Sequence, residues 1–362
     1  MKNIHEKLNN CRSAYPIMIK SGLLQRVPKF IKKEFPGSTC VLITDHTVKK
    51  LYGNILLKEL RKMNIKTFLL SVPPGERSKT QKQKTELEER MLALGADRKT
   101  VIIALGGGVV GDLAGFIAAT FMRGIPYVQV PTTLLAMVDS SIGGKTGINT
   151  EGGKNTIGAF WNPVAVFADV DTLKTLPVSH IAHGLAEAIK MFTTSNEKSF
   201  VFVQKNIKKA LDKDKSVLKN IITQAIQIKR GIVTKDMHET GERMILNFGH
   251  TIAHALEKES GYTMPHGHAV ALGMLVESEL SGMQTEHLHR LLTVGLGFKQ
   301  SEFRSFNVKR LVRATKGDKK SAHGKVRYVL LEKIGKVRKN GKNFVHEIND
   351  QKVEQTIRKL MK

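Results

Sequence analysis

Six side chains fall into spacings that suit metal and acid–base chemistry. In the segment HGLAEAIK, Glu187 and Lys190 are three residues apart, which on a helix puts them on one face. In NFGHTIAHALE, His250 and His254 are four apart and share a helix face in the same way. PHGHAVALGM adds His266 and His268 at another helix start. One carboxylate and two imidazoles drawn from separate helices make an open Zn²⁺ site, with coordination room left for a substrate. Spacing alone does not choose among the four histidines. Two His at i, i+4 can both hold a metal, as in His-Glu-x-x-His, but Thr251 follows His250 and the general-base Glu of that motif is absent. An exposed ion pair is the plainer reading of Glu187 and Lys190 taken by themselves.

Two further segments suit anions. VIIALGGGVVGDLAGFIAA reads as a buried strand, a Gly triplet and a helix beginning near Val109. Glycine lets the backbone approach a ligand closely, and the helix terminus offers free N–H groups to a phosphate. In an α/β sheet such a turn lies at the carboxyl edge, where nucleotides bind. The spacing is not Gly-x-Gly-x-x-Gly, so a tight strand–helix turn without a ligand is the competing reading. DSSIGGKTGINTEGGKNTIGAFWNP gathers Asp139, Lys145, Lys154 and Asn155 among six glycines. Ammonium groups on glycine-rich turns suit phosphate or carboxylate oxygens. A mobile surface loop would explain the glycines but not the clustered Asp, Lys and Asn.

The elements that must position these groups follow from the apolar pattern. Cys40–Thr44, Lys66–Val72, Val101–Leu105, Tyr127–Val130 and Val164–Asp169 read as buried strands. Gln81–Leu94 carries apolar residues at helical spacing between two of them, which predicts a parallel α/β sheet. After Pro177 the texture changes. His183–Phe192, Lys205–Asp212, Val217–Thr234, Gly249–Glu259 and Ala269–Ser281 read as helices, and only Val326–Leu331 looks like a strand. The expectation is an α/β domain over residues 1–177 and an all-α domain over 178–362.

Composition bounds the function classes. With 362 residues and 41% hydrophobic side chains, the chain can bury a sizeable core. No apolar run reaches the roughly 18 residues of a membrane helix, because four glycines in its first half and Asp112 break the best candidate, Val101–Met122. The start, MKNIHEKLNN, leads into no apolar stretch of the secretory kind, so a soluble, cytoplasmic chain is expected. Cys11 and Cys40 are too few for a disulfide framework and lack metal spacing. The net charge is +26, and the last 64 residues carry 19 Lys/Arg against six Asp/Glu. Such a surface attracts polyanions and small phosphorylated substrates alike. Aromatics are only 6% and do not interleave with the basic residues as stacking platforms would, which argues against specific nucleic-acid binding.

Taken together, PPGERSK, GGGVVGDLAGF, FMRG, VPTTLLAMVDSSIGGKTGIN, GGKNTIGAF, HGLAEAIK, LNFGHTIAHALE and HGHAVALGM resemble the 3-dehydroquinate synthase family of sugar-phosphate cyclases, from about Val41 to Gly335. The resemblance implies an N-terminal Rossmann-like NAD-binding domain, a C-terminal helical metal-binding domain and an active site between them. It implies Glu187, His250 and His266 as ligands of Zn²⁺ or Co²⁺, leaving His254 for proton transfer. For NAD it implies Asp45, Glu76, Lys79, Gly108, Asp112, Thr132 and Thr133, with Lys145, Lys154, Thr172 and Thr175. For substrate it implies Asp139, Lys145, Asn155, Lys190, Lys229, Arg243, Asn247 and Lys320, with Glu239 as an acidic group of the same site. Arg123 matches an arginine that reaches the neighbouring subunit, so a homodimer is implied. The implied reaction converts 3-deoxy-D-arabino-heptulosonate 7-phosphate to 3-dehydroquinate and phosphate. Another sugar-phosphate cyclase of the 2-deoxy-scyllo-inosose synthase type is the near alternative, and a basic binding protein on a decayed enzyme scaffold is the distant one.

The sequence also departs from the family pattern. Ser179 and His180 stand where an Arg–Glu pair is usual, His268 replaces a Glu, and Ala253 replaces a Gly. Met191-Phe192 stands for Tyr-Gly, and Met237 for an acidic residue. None removes an implied ligand. A missing carboxylate at position 268 predicts weaker support for the metal ligands, an effect worth roughly ten- to a hundredfold in such sites.

Overall fold

The computed structural model describes residues 14–282, 285–316, 326–341 and 343–361; Lys320 lies outside them. The chain divides into two compact units, Met1–Leu173 and Lys174–Lys362.

In the first unit, strands β1 (Ile17–Lys20), β2 (Cys40–Asp45), β3 (Thr67–Val72), β4 (Val101–Gly106) and β5 (Tyr127–Pro131) are followed by β6 (Lys145–Thr150), β7 (Gly153–Phe160) and β8 (Ala165–Asp169). Helices α1 (Val27–Glu34), α2 (His46–Val48), α3 (Asn54–Lys62), α4 (Gln81–Ala93) and α5 (Gly108–Thr120) connect them. Six strands form one parallel sheet in the order β1-β8-β5-β4-β2-β3. Helices cover both faces, so both residue parities along a strand are buried. Val41 and Ile43 join Ile102 and Ala104 under α4 and α5, whereas Cys40 and Leu42 join Val101 and Ile103 under α1 and α3. That is why these strands read as continuous apolar runs.

The pair β6–β7 is an antiparallel hairpin packed on α5, where the sequence suggested only glycine-rich turns. Its strands meet backbone to backbone. Gly147 opposes Gly158, where a Cβ would stand 2.0 Å from the Thr146 carbonyl oxygen, a position closed to any larger residue. Strand β1 was likewise not expected from the sequence; it pairs with β8 at the sheet edge.

The second unit is built from α6 (Val178–Ser195), α7 (Glu197–Leu211), α8 (Lys215–Lys235), α9 (His250–Glu259), α10 (His266–Leu280), α11 (Glu286–Arg290), α12 (Val308–Thr315) and α13 (Asp350–Leu360). Side chains of Asn196, Asp214, Asn307 and Asn349 cap α7, α8, α12 and α13. Four short strands, β9 (Arg327–Tyr328), β10 (Leu331–Lys333), β11 (Lys336–Val337) and β12 (His346–Glu347), form two antiparallel pairs, so the unit is helical but not purely so. Helix α10 is buried around most of its circumference and packs on α6 and α9. Its contact with α9 depends on Gly273, where a Cβ would stand 1.9 Å from the Gly249 carbonyl oxygen.

Candidate active site

Three helices of the second unit converge on one buried carboxylate. Glu187, in the middle of α6, has no exposed surface. His250 opens α9 and places Nε2 3.5 Å from Glu187 Oε1; His266 opens α10 and places Nε2 3.3 Å from the same oxygen. Lys190, one turn along α6 and 2% exposed, puts Nζ 2.6 Å from the other oxygen, Oε2. The carboxylate therefore has one oxygen engaged by a cation and one facing two imidazoles.

This donor set fits a divalent ion. Ligands about 2.05 Å from a tetrahedral ion stand about 3.3 Å from one another, close to both spacings measured at Glu187 Oε1. The ligating atoms of Glu187, His250 and His266 all lie within 4.8 Å of one another. Each imidazole also turns its outer nitrogen to an acceptor, the Phe248 carbonyl at 3.3 Å from His250 Nδ1 and Glu257 Oε1 at 3.3 Å from His266 Nδ1. That leaves both Nε2 atoms directed inward, toward Glu187 Oε1. The His266 side chain stays 34% exposed, so the centre is open on one side. Burial opposes a charge on His266, but Glu187 and Glu257 hydrogen-bond its ring and push its pKa up to about 10, so the two carboxylates together favour positive charge at this position.

The structure thus brings together Glu187, His250 and His266, and sets His254 beside them. The His254 ring lies 5.6 Å from that of His250 and 6.5 Å from that of His266. His268 faces elsewhere, its Nε2 3.0 Å from Glu302 Oε2 and its ring 4.7 Å from Phe298. His183 stacks on Phe298 too; burial, then the fields of His180, His268 and His266, lowers its pKa to about 4.

Helix α8 and the turn at Glu242–Asn247, both packed on α6, supply more polar groups. Lys229 is 5% exposed and Arg243 2%. Arg243 Nη1 donates to the Met237 carbonyl at 2.5 Å, and Asn247 Nδ2 donates to Glu239 Oε1 at 2.5 Å. Asp236 organises this turn by accepting from the backbone N–H groups of Thr240, Gly241 and Arg243 at 3.0, 2.7 and 3.0 Å. Partial burial opposes its ionisation, yet those bonds hold its carboxyl below the ordinary Asp value.

In the first unit, the expected cofactor residues collect at the carboxyl edge of the parallel sheet. Asp45 ends β2 and caps α2, accepting from Thr47 and Val48 N–H at 2.8 and 2.9 Å. Thr132 and Thr133 follow β5, and the Thr132 N–H donates to the Gly106 carbonyl at 2.9 Å. Thr172 follows β8, and its carbonyl accepts from Tyr52 Oη at 3.1 Å. Thr175, exposed at the end of the turn Val170–Thr175, already belongs to the second unit. Between β4 and α5, Gly107 serves as the helix cap without a side-chain bond, and the first turn carries no acidic residue. A Cβ at Gly107 would crowd Thr133 at 3.1 Å. The edge thereby presents helix N–H groups in a cradle that suits a pyrophosphate.

Lys79 is 3% exposed and ties this edge together, donating to Asp112 Oδ2 at 2.5 Å and to Asn155 Oδ1. Glu76 Oε1 accepts from Asn149 Nδ2 at 2.7 Å, and Asn149 Oδ1 accepts from the Asn155 N–H at 2.9 Å. Helix α5 supplies Gly108 and Asp112, and the turn Ala136–Ser140 holds Asp139. Lys145 and Lys154, clustered in sequence, are separated by the hairpin, one opening β6 and the other beside its turn, roughly 13 Å apart by strand rise. Arg123 is exposed in a turn where Met122 and Arg123 both take positive φ, 51° and 68°.

Residues 69–183 match the family profile described as 3-dehydroquinate synthase N-terminal, and residues 184–321 match 3-dehydroquinate synthase C-terminal. The chain belongs to the 3-dehydroquinate synthase family. The 3-dehydroquinate synthase of Desulforamulus reducens is 40% identical over 332 residues, 90% of this chain and 92% of its own. That of Dictyoglomus thermophilum is 42% identical over 328 residues, 89% and 90% of the two chains. A solved structure of 2-deoxy-scyllo-inosose synthase complexed with carbaglucose-6-phosphate, NAD+ and Co2+ is similar with a TM-score of 0.86 at 26% identity, covering 95% of this chain and 96% of that one. The 2-epi-5-epi-valiolone synthase of Streptomyces hygroscopicus shares the fold, with a TM-score of 0.86 at 24% identity over 96% of each chain.

Within the 3-dehydroquinate synthase family, this chain's own side chains add groups that sequence reading passed over. Glu257 bonds the His266 ring and Asp236 the turn that carries Arg243, without either being implied as a ligand or binder. A signal for Glu257 existed: it falls seven residues after His250 on the same helix, hence on the same face. For Asp236 none did, because its role depends on a turn that closes back on it.

Proposed function

We propose that the chain is a cytoplasmic, NAD- and metal-dependent 3-dehydroquinate synthase, a carbon–oxygen lyase acting on 3-deoxy-D-arabino-heptulosonate 7-phosphate. The observation that carries the reading is the set of Glu187, His250 and His266 around one oxygen at ligand-to-ligand spacing. The first unit would bind NAD at the carboxyl edge of its sheet, through the Gly107–Gly108 turn, Lys79, Asp112, Asp45 and the threonines after β5 and β8. The second would hold Zn²⁺ or Co²⁺ and much of the substrate. The relatives about 40% identical favour this substrate over that of the inosose synthase type, and the assembled ligand set argues against a decayed scaffold.

When bound, the metal would polarise a substrate hydroxyl and the nicotinamide would accept and later return its hydride, so that a transient ketone lets phosphate leave by β-elimination. The chain's residues do the rest. Lys145, Lys190, Lys229 and Arg243 hold the anionic ends of the substrate, and Asp139 and Asn155 contact its uncharged polar groups. His254, beside the metal ligands but not among them, takes the hydroxyl proton. Asn247 and Glu239 orient the remaining hydroxyls. Arg123 reaches across a homodimer to the partner's site; the strained turn that presents it is the kind of backbone retained for function.

The test is direct: purified protein with heptulosonate phosphate, NAD⁺ and Zn²⁺ or Co²⁺, following phosphate and dehydroquinate together. Equal release of both is expected. Phosphate without dehydroquinate would point to a lesion after elimination, and no turnover with salt-sensitive nucleic-acid binding would favour the basic scaffold.

A further inference from the structure

We propose that Glu257 is a positioning residue for the metal centre, steering His266 through its outer ring nitrogen; this rests on the metal reading of Glu187, His250 and His266 given above. Glu257 Oε1 lies 3.3 Å from His266 Nδ1, on the side of the ring away from Glu187. A carboxylate there accepts the Nδ1 proton, fixes the tautomer and makes Nε2 the better donor to a metal. His250 has the same arrangement with a weaker acceptor, the Phe248 carbonyl. Glu257 is 1% exposed, and a carboxylate is buried to that degree only where donors compensate its lost hydration.

The geometry follows from one helix. Helix α9 presents His250 in its first turn and Glu257 two turns later, on the same face and against the start of α10. One element therefore supplies one ligand and the group that aims the next. Position 268, where the family pattern has a carboxylate, plays no such part here. His268 pairs with Glu302 and packs on Phe298, so its identity leaves the support of His266 untouched.

The experiment is a Co²⁺ titration of chelator-treated full-length protein, read by chelator competition and by the visible Co²⁺ spectrum. Glu257→Gln is expected to raise the dissociation constant roughly ten- to a hundredfold and to alter the spectrum. Glu257→Asp, which keeps the carboxylate, recovers part of the affinity. His268→Gln and Glu302→Gln bind Co²⁺ as the parent does. Parent-like affinity and spectrum in Glu257→Gln overturn the proposal, as does an equal loss in His268→Gln. Should Glu257→Gln fail to fold, ¹⁵N-histidine spectra of the parent protein loaded with Zn²⁺ decide: a His266 Nδ1 proton well downfield of that of His250, as a carboxylate acceptor requires, supports the assignment, and one at or upfield of the His250 position overturns it. Failure of the parent protein to bind Co²⁺ at all overturns the metal reading itself, a result seen before any variant is compared.

Discussion

Glu187→Gln probes the ligand set and the buried electrostatics beneath it in one variant. Glu187 is fully buried and Lys190 is 2% exposed, with 2.6 Å between Nζ and Oε2. The amide cannot balance that ammonium, which stays in a low-dielectric interior. Removing one partner of a fully buried ion pair costs about 3–5 kcal/mol. At about 2–4 °C per kcal/mol for a unit of this size, the metal-free variant should melt on the order of 10 °C below the parent. Adding Lys190→Met removes the stranded charge, so the double variant recovers most of the loss. Metal acts separately. An ion present at a hundred times its dissociation constant stabilises the protein it binds by about 2.7 kcal/mol. Zn²⁺ should therefore raise the melting temperature of the parent by roughly 5–10 °C and leave Glu187→Gln unmoved. Calorimetry of the chelator-treated proteins, with and without Zn²⁺, reads both effects. A metal-free variant that melts with the parent refutes the burial argument; an undiminished Zn²⁺ shift refutes the ligand assignment.

Gly273→Ala drives a Cβ to 1.9 Å from the Gly249 carbonyl oxygen, a backbone atom that cannot rotate away, so α9 and α10 must part. A loss of about 3 kcal/mol in denaturant unfolding and a weaker Co²⁺ site are expected. His183 has a folded pKa of about 4, against about 6.5 unfolded. Between those values the unfolded chain binds the extra proton, so stability rises with pH across the window and is lost as pH falls through it. His183→Gln should flatten the urea-midpoint profile between pH 4 and 6.5. Asp236→Ala releases three backbone N–H groups of the turn that carries Arg243. Steady-state kinetics should show KM for the sugar phosphate rising on the order of tenfold, with Co²⁺ affinity unchanged.

What the sequence made legible follows from how each part is held. Strands β2, β4, β5 and β8 announce themselves because helices bury both of their faces, leaving no polar parity to interrupt the run. The hairpin β6–β7 hides because glycine backbones, not alternating side chains, make its contacts, and the pairing that sets Lys145 apart from Lys154 leaves no trace in the residue pattern. Helix α7 was expected only from Lys205; it starts at Glu197, since Phe200 to Val203 mimics a strand until Asn196 is recognised as its cap.

The metal centre sits between these cases. The i, i+4 spacing says that His250 and His254 share a face, but not which of them meets a third helix. That choice is made by Gly249, whose positive φ turns the chain into α9, and by the close approach of Gly273, which sets the middle of α10 against the start of α9 and leaves His266, the first residue of α10, beside Glu257. His250 then faces Glu187 with His266, and His254, one turn on, lies beside the pair. The ligand and acid–base roles proposed for His250 and His254 are thus divided on one helix face by how a neighbouring helix crosses it, a tertiary fact that no local spacing encodes.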